Sequence, residues 1–532
     1  MKKITLSSFV LLFLSLGAMA QGSQSAAARK LSFAQFAIQN LYVDKLDENK
    51  LTEDAIEGML KKLDPHSAYT NAQETKEMNE PLQGSFDGIG IQFNMMNDTL
   101  FVIQVISGGP SEKVGIIAGD RILMVNDTSI AGRKLKTTDI MKRLKGPKGT
   151  IANVKVLRRG EKNLIDFRII RDKIPVFSLD ASYMVDKSIG YIRISRFGAT
   201  TYDEFMTALT TLQTQGMKSL ILDLEDNGGG YLNAATNIAD EFLKSKELIV
   251  YTEGVHQPKE ETLATAKGNF QDGKLVVLID ESSASASEIV TGAIQDWDRG
   301  VVVGRRSFGK GLVQRPIPLP DGSMIRLTIA RYYTPAGRCI QKSYEEGAEK
   351  YSKDLIERYN KGEMAHADSI HFPDSLKAYT KVNRRVVYGG GGIMPDIFVP
   401  IDTTHYTNYH RELVAKGILN KFCLNYIEDN RKQLKTNYPT IESYISGFEV
   451  NDEMLKKLTK TAETEKIKSD SAQLVKAKPL LLTQIKALMA RDLFDMAAYF
   501  KVANRDNETF KKGVAILQDE RRYTKLLLGK KK

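Results

Sequence analysis

The sequence predicts a multidomain α+β protein with a helical N-terminal region, a β-rich domain, an α/β core and a helical C-terminal extension. The chain has 532 residues, which is enough for about three or four domains. Between residues 191 and 242, apolar runs of strand length alternate with helical patterns, which favours a parallel sheet with crossover helices. From about residue 402 onward the apolar positions keep helical spacing.

Composition and charge fit this interpretation. Hydrophobic residues make up 42% of the chain and charged residues 27%, which is ordinary for a globular protein. The net charge is +11, but lysine and arginine are spread along the chain and interleaved with acids. We therefore expect a solvated basic surface with weak attraction to anionic envelopes, and no nucleic-acid partner.

Changes in pattern place the predicted domain boundaries. The five segments are a signal peptide at 1–20, a helical N-terminal region at 21–83, a β-rich domain at 84–171, an α/β core at 172–400 and a helical C-terminal domain at 401–532. The α/β core carries the residues with the clearest chemical pattern.

The first twenty residues are typical of a secretory signal. Two lysines follow Met1, residues 4–19 are mostly apolar, and the A-x-A motif at 18–20 predicts cleavage before Gln21. The apolar run is shorter than the ~20 residues that a membrane span needs, and no second candidate follows. We therefore expect an exported, periplasmic protein with no membrane span after cleavage; an uncleaved anchor is the alternative.

Residues 31–82 are predicted to be helical. The apolar positions between Leu51 and Leu63 keep one helical face, and the segment 64–69, with the sequence DPHSAY, ends that helix. His66 beside Ser67 suggests a second catalytic pair, but the sequence offers no third partner. We interpret the segment as a structural turn.

The β-rich domain begins with a segment suited to binding an anion. In Gly88-Ile89-Gly90-Ile91, the glycines allow consecutive backbone N–H groups to point at one anion. The elements that follow are, in order, strands at 91–93 and 99–103, a short helix from Pro110, a turn and strand at 118–126 and a helix at 137–144.

This order of elements resembles a PDZ domain. A PDZ domain binds a free C-terminus as an added strand at the edge of its sheet. The resemblance implies that Gly88, Ile89, Gly90 and Ile91 bind the carboxylate of a substrate and that the helix at 137–144 lines the peptide groove. A packing module that binds nothing is the alternative.

The α/β core contains a glycine-rich turn after a predicted strand. Asn227-Gly228-Gly229-Gly230 follows the apolar segment 219–224 and precedes a helix predicted over 231–242. A glycine run in this position can bind phosphate, but the run does not match the dinucleotide pattern G-x-G-x-x-G. By itself the turn is weak evidence for any function.

The core is organised around residues 274–314. Leu275–Ile279 has the continuous apolar pattern of a buried strand, and after a polar break the apolar positions recur at helical spacing from Ile289. Ser285 therefore lies at or just before a helix start. The simplest interpretation of Ser285 and Glu288 is a capping box.

The segment from Gly304 to Lys310 matches most of a P-loop, Gly-x-x-x-x-Gly-Lys after a strand. The match fails at Gly311, where a serine or threonine is needed to bind Mg²⁺. The prolines within 312–318 also oppose a helix whose N-terminus would bind phosphate. A nucleotide hydrolase is therefore the weakest functional hypothesis, and no cofactor is expected.

Ser285 and Lys310 form a candidate catalytic dyad. A serine hydroxyl is a weak nucleophile and needs a neighbouring base. A lysine can serve as that base only when it is neutral, so its pKa must fall from about 10.4 to about 7–8, which burial can achieve. The apolar neighbours Phe308, Leu312 and Val313 could desolvate the amine.

Gln314 and the helix start complete the candidate site. Lys310, Leu312 and Gln314 are predicted to share one face of a strand, which lets Gln314 hold the Lys310 amine by a hydrogen bond. The helix that begins near Ser285 offers unpaired N–H groups to a developing oxyanion.

The segments SASASE at 283–288 and FGKG at 308–311 resemble the carboxy-terminal processing peptidases, also called tail-specific proteases. The resemblance covers most of residues 31–400, and in that family the nucleophilic serine precedes the lysine by the 25 residues seen here. It implies Ser285 as nucleophile, Lys310 as general base and Gln314 as the partner that orients the base.

The resemblance also assigns the oxyanion donors. It implies the backbone N–H groups of Ala286 and Gly230, the latter being the third glycine of the turn at 227–230. The chain departs from the family at Glu225, where the family often has arginine.

The function implied by the resemblance is that of a secreted serine endopeptidase. It would bind protein C-terminal tails with its PDZ domain and hydrolyse peptide bonds through an acyl-enzyme. The expected partners are proteins or peptides with free C-termini, and a homo-oligomer or an adaptor protein is left open. The alternative is a catalytically inactive PDZ adaptor on a peptidase fold, against which the intact serine, lysine and glutamine argue.

The remaining segments carry no assigned chemistry. Residues 341–385 are predicted to be a polar helical insertion, and the C-terminal region a helical packing or dimerisation domain. The histidine pairs 366/371 and 405/410 lack the i, i+4 spacing and the glutamate of a zinc-protease helix, so no metal is expected. Cys339 and Cys423 could pair only if they meet in space.

Overall fold

The computed structural model describes residues 25–529, so the predicted signal peptide lies outside the described residues. The chain divides into two compact units, one up to Tyr69 and one from Thr70 onward. None of the helices within 25–529 has the length and apolar character needed to cross a bilayer. The predicted fold class is confirmed, since the helical N-terminal region, β-rich domain, α/β core and helical C-terminal region are all present.

The first unit is helical. Side-chain oxygens of Ser25 and Asp47 accept N–H groups at the starts of its two helices. The Asp64 carboxylate accepts the N–H groups of His66 and Ser67 at 2.7 and 2.9 Å, which forms the predicted turn. The elements are α1 (Ala26–Leu41), α2 (Glu48–Leu60) and, across the boundary between the units, β1 (Ala68–Thr70).

The β-rich domain forms a sheet in the order β3-β4-β5-β7-β8, with β6 paired to β5. Strands β2 and β9 pair antiparallel and bring the two ends of the domain together. The elements are α3 (Ala72–Gln83), β2 (Ser85–Gly88), β3 (Ile91–Met96), β4 (Thr99–Val105), α4 (Pro110–Lys113), β5 (Arg121–Val125), β6 (Thr128–Ser129), α5 (Thr137–Leu144), β7 (Ile151–Leu157), β8 (Ile165–Ile170) and β9 (Asp172–Pro175).

The α/β core contains a six-stranded sheet in the order β10-β11-β12-β15-β16-β21. All of its pairings are parallel except the one between β10 and β11. The elements up to β16 are β10 (Leu179–Met184), β11 (Ile189–Ile194), α6 (Thr201–Thr214), β12 (Ser219–Asp223), α7 (Leu232–Asp240), β13 (Leu248–Gly254), β14 (Gln257–Leu263), β15 (Lys274–Ile279), α8 (Ala286–Asp296) and β16 (Val301–Gly304).

A second, antiparallel sheet of the core contains β13, β14, β17 and β18. Its strands β17 and β18 form a long hairpin whose first strand carries Gln314. The remaining core elements are β17 (Leu312–Pro318), β18 (Met324–Tyr333), α9 (Ala348–Asn360), β19 (Lys377–Tyr379), β20 (Val386–Tyr388) and β21 (Ile397–Phe398).

The insertion at 341–385 is only partly helical, so that prediction was wrong for most of its length. Helix α9 ends at Asn360, and Gly362 follows with a left-handed φ of +78°, a conformation that suits glycine and ends helices. Beyond it lie two short 3₁₀ turns, at Ala367–Ser369 and Asp374–Leu376, and then the hairpin of β19 and β20. Pro373 precedes the second turn and cannot continue a helix.

The C-terminal region is helical, as predicted. One group of its helices packs into a core of its own, and the last two cover a face of the six-stranded sheet. The elements are α10 (Asn408–Ala415), α11 (Ile418–Asn437), α12 (Ile441–Gly447), α13 (Asp452–Thr464), α14 (Ser471–Leu493), α15 (Met496–Ala503), α16 (Glu508–Gln518) and α17 (Glu520–Leu528).

Helix α11 also contacts the β-rich domain. Leu424 of this helix is buried with Met96 and Phe101 in a small apolar cluster. Beside the cluster, Arg121 of β5 donates to both carboxylate oxygens of Glu428 at 2.9 and 3.0 Å. The C-terminal region therefore touches both the six-stranded sheet and the β-rich domain.

Candidate active site

Ser285 lies at the start of α8 in a strained backbone conformation. Its φ is 55° and its ψ −111°, a combination that a residue with a side chain rarely adopts. Two hydrogen bonds to residues 224 and 227 fix the segment before it: the Ala284 N–H donates to the Asn227 carbonyl at 3.0 Å, and Ser283 Oγ donates to the Leu224 carbonyl at 2.7 Å. Ser285 is half-buried among fully buried neighbours.

Lys310 and Gln314 are in direct contact. Lys310 Nζ donates to Gln314 Oε1 at 3.1 Å. The prediction that Lys310 and Gln314 share one face of a strand was wrong. Strand β17 begins only at Leu312, and a bulge separates Val313 from Gln314. Lys310 instead lies before the strand, where the flanking backbone bonds to another segment: Gly311 N–H donates to Gln341 Oε1 at 2.8 Å.

Ser285, Lys310 and Gln314 line one cavity of about 380 Å³. The cavity is also lined by the glycine turn, by Ala286, and by α3 through Met78, Asn79 and Leu82. Its remaining walls are mostly apolar, with Arg326 as the one further charged residue that lines them: Tyr231, Leu232, Ile289, Leu312, Val313, Pro316, Met324, Arg326 and Tyr332. The structure thus brings together the serine, lysine and glutamine that the sequence singled out.

Two backbone N–H groups at this cavity are available to an oxyanion. Gly229 N–H donates to Asn227 Oδ1 at 2.9 Å, whereas the N–H groups of Gly230 and Ala286 donate to no oxygen within residues 25–529. Gly230 has a φ of +149°, and an added Cβ would lie 2.0 Å from the Phe197 carbonyl oxygen. Only glycine fits at this position of the turn.

Glu288 connects the serine and lysine segments, and its role was missed by sequence reasoning. Its fully buried carboxylate accepts the N–H groups of Ser285 at 2.8 Å, Gly309 at 2.7 Å and Lys310 at 2.9 Å, and the Ser307 hydroxyl at 2.6 Å. Burial raises the pKa of Glu288, and the four donors oppose that rise. The capping-box spacing was the one local signal, and it could indicate only the contact with Ser285.

Tyr332 makes a second connection between the same two segments. Its hydroxyl donates to the Lys310 carbonyl at 2.6 Å and lies 3.1 Å from the Ser285 carbonyl. Burial raises the pKa of the phenol well above its ordinary value, so the group stays protonated and able to donate. The backbones of Ser285 and Lys310 are therefore fixed relative to each other from two sides.

The predicted carboxylate-binding segment lines a groove in the β-rich domain. Gly88, Ile89, Gly90 and Ile91 surround a cavity of about 90 Å³ between β3 and α5. Its other lining residues are apolar except for one lysine: Phe86, Phe93, Met141, Leu144 and Lys145. This is the place where a PDZ domain accepts an added strand.

The structure excludes the P-loop and gives no support to a metal site. Residues 312–318 form a strand rather than the helix that a phosphate site needs. No group of three His, Cys, Asp or Glu side chains that could hold a metal occurs within 25–529. Cys339 and Cys423 are both free thiols.

Comparison with known families assigns the segments. A model described as peptidase family S41 matches residues 188–349, and a PDZ model matches 88–169. The model of the activating protease CtpB N-terminal domain matches 15–75, and a family of unknown function matches 409–495. These matches define a serine-type peptidase with a PDZ domain.

Individual relatives identify the family within this class of peptidases. The carboxy-terminal-processing protease of Bartonella bacilliformis is 39% identical over 309 residues, which cover 57% of this chain and 70% of the relative. The carboxy-terminal processing protease CtpB of Bacillus subtilis is 35% identical over 328 residues, covering 61% and 68%. A solved photosystem II D1 C-terminal processing protease is 30% identical, covering 57% of this chain and 82% of that one, with a TM-score of 0.33. The chain belongs to the carboxy-terminal processing protease family.

Proposed function

We propose that the chain is an exported serine endopeptidase that cleaves proteins after binding their C-terminal tails. Ser285 is the nucleophile, Lys310 the general base and Gln314 the residue that orients the base. The observation that carries the proposal is that all three line one cavity, with Lys310 Nζ 3.1 Å from Gln314 Oε1.

The reaction proceeds in two halves. Neutral Lys310 takes the proton of Ser285 Oγ as the oxygen attacks the peptide carbonyl carbon, and the resulting oxyanion is held by the N–H groups of Gly230 and Ala286. When the tetrahedral intermediate breaks down, Lys310 gives its proton to the leaving amine, and an ester to Ser285 remains. Water, deprotonated by Lys310, then hydrolyses the ester and restores the serine.

Catalysis of this kind needs a lysine that loses its charge and keeps its position. Gln314 Oε1 accepts from the amine, and Glu288 and Tyr332 fix the backbone of Lys310. The apolar wall of the cavity disfavours the charged form of any amine that enters it. The same wall favours substrates with apolar side chains near the scissile bond.

Substrate tails are bound by the PDZ domain. A free carboxylate accepts from the N–H groups of the Gly88–Ile91 segment, and an apolar terminal side chain enters the groove beside Phe93 and Met141. The names of both bacterial relatives describe processing at a carboxy terminus, in line with this assignment.

Export to a periplasm is part of the proposal. It is supported by the positive start, apolar run and A-x-A motif of residues 1–20. Fractionation of cells that express the full chain, with N-terminal sequencing of the product, would test it: a mature chain starting at Gln21 is expected.

The catalytic assignment is tested with Ser285→Ala and Lys310→Ala on a peptide with an apolar free C-terminus. Each variant should lose at least about 10³-fold in kcat, because each removes a group that acts in the chemical step. Ser282→Ala, in the same loop but outside the cavity, and Lys353→Ala, at an exposed position of α9, are the matched controls and should keep full activity. Activity retained in either cavity variant contradicts the dyad.

Carboxylate capture is tested separately by amidating the peptide's C-terminus. We expect KM to rise about tenfold with little change in kcat, since the carboxylate is bound away from the reacting atoms. Equal KM values for the free and amidated peptides would remove the PDZ domain from tail recognition. Tight binding with no turnover by the wild-type chain would instead favour the inactive adaptor.

A further inference from the structure

A cluster of buried charged groups lies directly beneath the glycine turn. Asp223 Oδ2 accepts from the Tyr191 hydroxyl at 2.5 Å and from Arg193 at 2.7 Å. The other oxygen of Asp223 accepts the Glu225 N–H at 2.8 Å, and Arg193 donates to the Glu225 carbonyl at 2.8 Å. The backbone of Glu225, where the turn begins, is thus anchored to two strands of the sheet.

The C-terminal segment covers this cluster. Asn507 Nδ2 donates to Glu225 Oε2 at 3.0 Å, and Asn507 Oδ1 accepts the Phe510 N–H at 3.1 Å as the N-cap of α16. On either side, Phe500 lies 4.5 Å from the Arg193 guanidinium and Phe510 packs edge-on against Tyr191. The one amide side chain of Asn507 therefore joins the start of α16 to the turn.

The Glu225 carboxyl group lies in surroundings that disfavour its charge. The side chain is buried, with Asp223 and Asp280 as neighbouring acids and Arg193 and Arg305 as neighbouring bases. Burial first, and Asp223 second, raise the pKa of Glu225 to about 8. At neutral pH the carboxyl is mostly protonated, and its ionisation would introduce repulsion from both acids at the base of the turn.

The turn that follows Glu225 connects this residue to the candidate active site. Two residues beyond Glu225, the Asn227 carbonyl accepts from Ala284 N–H at 3.0 Å and from Ser287 Oγ at 2.8 Å, and the Asn227 amide donates to the Ile194 carbonyl at 2.8 Å. Gly230, three residues further, lines the cavity that contains Ser285. A shift at Glu225 would therefore move the Gly230 N–H relative to Ser285.

We propose that Glu225 is a positioning residue for the peptidase reaction, and that its contact with Asn507 makes the C-terminal segment part of the support of the glycine turn. The inference rests on the proposed function, in which the Gly230 N–H holds the oxyanion.

The test compares the pH profiles of kcat for the wild-type chain and Glu225→Gln on the same peptide. Glutamine keeps the acceptor for Asn507 but cannot ionise. We expect equal kcat within about twofold at pH 7, a decline of wild-type kcat relative to Glu225→Gln above about pH 8, and no decline of kcat for Glu225→Gln up to pH 9.5. A wild-type profile without the decline, or the same decline in Glu225→Gln, overturns the inference.

A second measurement uses stability and needs no catalysis. An acid whose pKa is raised on folding binds its proton more tightly in the folded state, so wild-type stability should fall as pH rises from about 4.5 to about 8. Glu225→Gln has no such titration. The Tm of Glu225→Gln minus that of wild type should therefore grow across this window, and a constant difference contradicts the assigned ionisation.

Asn507→Ala tests the contact with the C-terminal segment, and Gln518→Ala is its matched control. Gln518 lies at the other end of α16, and its amide donates to Asp186 Oδ2 at 3.2 Å. We expect Asn507→Ala to lower kcat about tenfold with KM changed less than twofold, because an oxyanion donor acts only in the transition state. Gln518→Ala should leave kcat unchanged; an equal loss of kcat in both would reduce Asn507 to general packing.

Ser285→Ala in the same series separates two kinds of failure. If Ser285→Ala stays active, the proposed function itself is wrong. If Ser285→Ala is inactive but Glu225→Gln and Asn507→Ala match the wild type in pH profile and kcat, only the present inference is wrong.

Discussion

The two faces of the six-stranded sheet are covered by helices from different parts of the chain. On one face, α6, α7 and α8 pack against side chains such as Leu220 and Leu222. On the other face, α16 and α17 pack against Ile221, Val276 and Leu278. The first cover is built from crossover helices between the strands, whereas the second arrives more than 200 residues after β15. The difference shows that the C-terminal helices are part of the core and not an appendage.

The most direct test of whether the two sets of covering helices are equivalent is to replace one buried phenylalanine in each set. Phe205 of α6 is fully buried against Phe242, and Phe510 of α16 is 8% exposed against Tyr191. If both covers belong to one core, Phe205→Ala and Phe510→Ala should each lower the free energy of unfolding by about 3–5 kcal/mol in chemical denaturation. A loss below about 1 kcal/mol for Phe510→Ala would mean that α16 is a loosely attached cover.

A second prediction concerns Glu288 of α8, one of the helices that cover the first face of the sheet. Glu288→Ala leaves the buried N–H groups of Ser285, Gly309 and Lys310 without their acceptor, and each such loss costs about 1–3 kcal/mol. We expect kcat to fall about 10²-fold or more and Tm to fall with it. Glu204→Ala removes the acceptor of the Ser178 and Leu179 N–H groups outside the cavity; it is the control and should lower Tm but keep kcat within about threefold. A fully active Glu288→Ala would show that the two segments hold their positions without it.

The smallest effect is expected where the C-terminal region contacts the PDZ domain. Arg121 Nη2 donates to both carboxylate oxygens of Glu428, and the two side chains are 39% and 16% exposed. A double-mutant cycle with Arg121→Ala and Glu428→Ala should give a coupling energy of about 1 kcal/mol. The more exposed pair of Arg159 and Asp429, at 3.4 Å, should give a value near zero. Equal values would mean that geometry and burial do not distinguish the two pairs.

The sequence predicted what depends on local pattern. The continuous apolar run of Leu275–Ile279 predicted a strand buried on both faces, and that strand is β15. Such a strand needs a cover on each side, but nothing in its own sequence says where the second cover comes from. The predicted helix pattern after residue 402 was confirmed, whereas the attachment of α16 and α17 to the sheet could not be predicted from it.

For the candidate site too, the sequence predicted which residues take part but not the contacts that hold them. The chain positions of Ser285, Lys310 and Gln314 were predicted through a family resemblance. The contacts that hold them were not, because Glu288 meets residues 19 to 22 positions away and Glu225 meets Asn507 282 positions away. Contacts across such separations are set by tertiary packing, for which capping and periodicity rules give no signal.

The late arrival of the second cover has a consequence for the timing of activity. Until α16 and α17 have emerged, one apolar face of the sheet and the charged groups under the glycine turn stay open to water. We therefore expect a nascent chain to be unable to digest itself or its neighbours, and proteolytic competence to begin only after those helices dock.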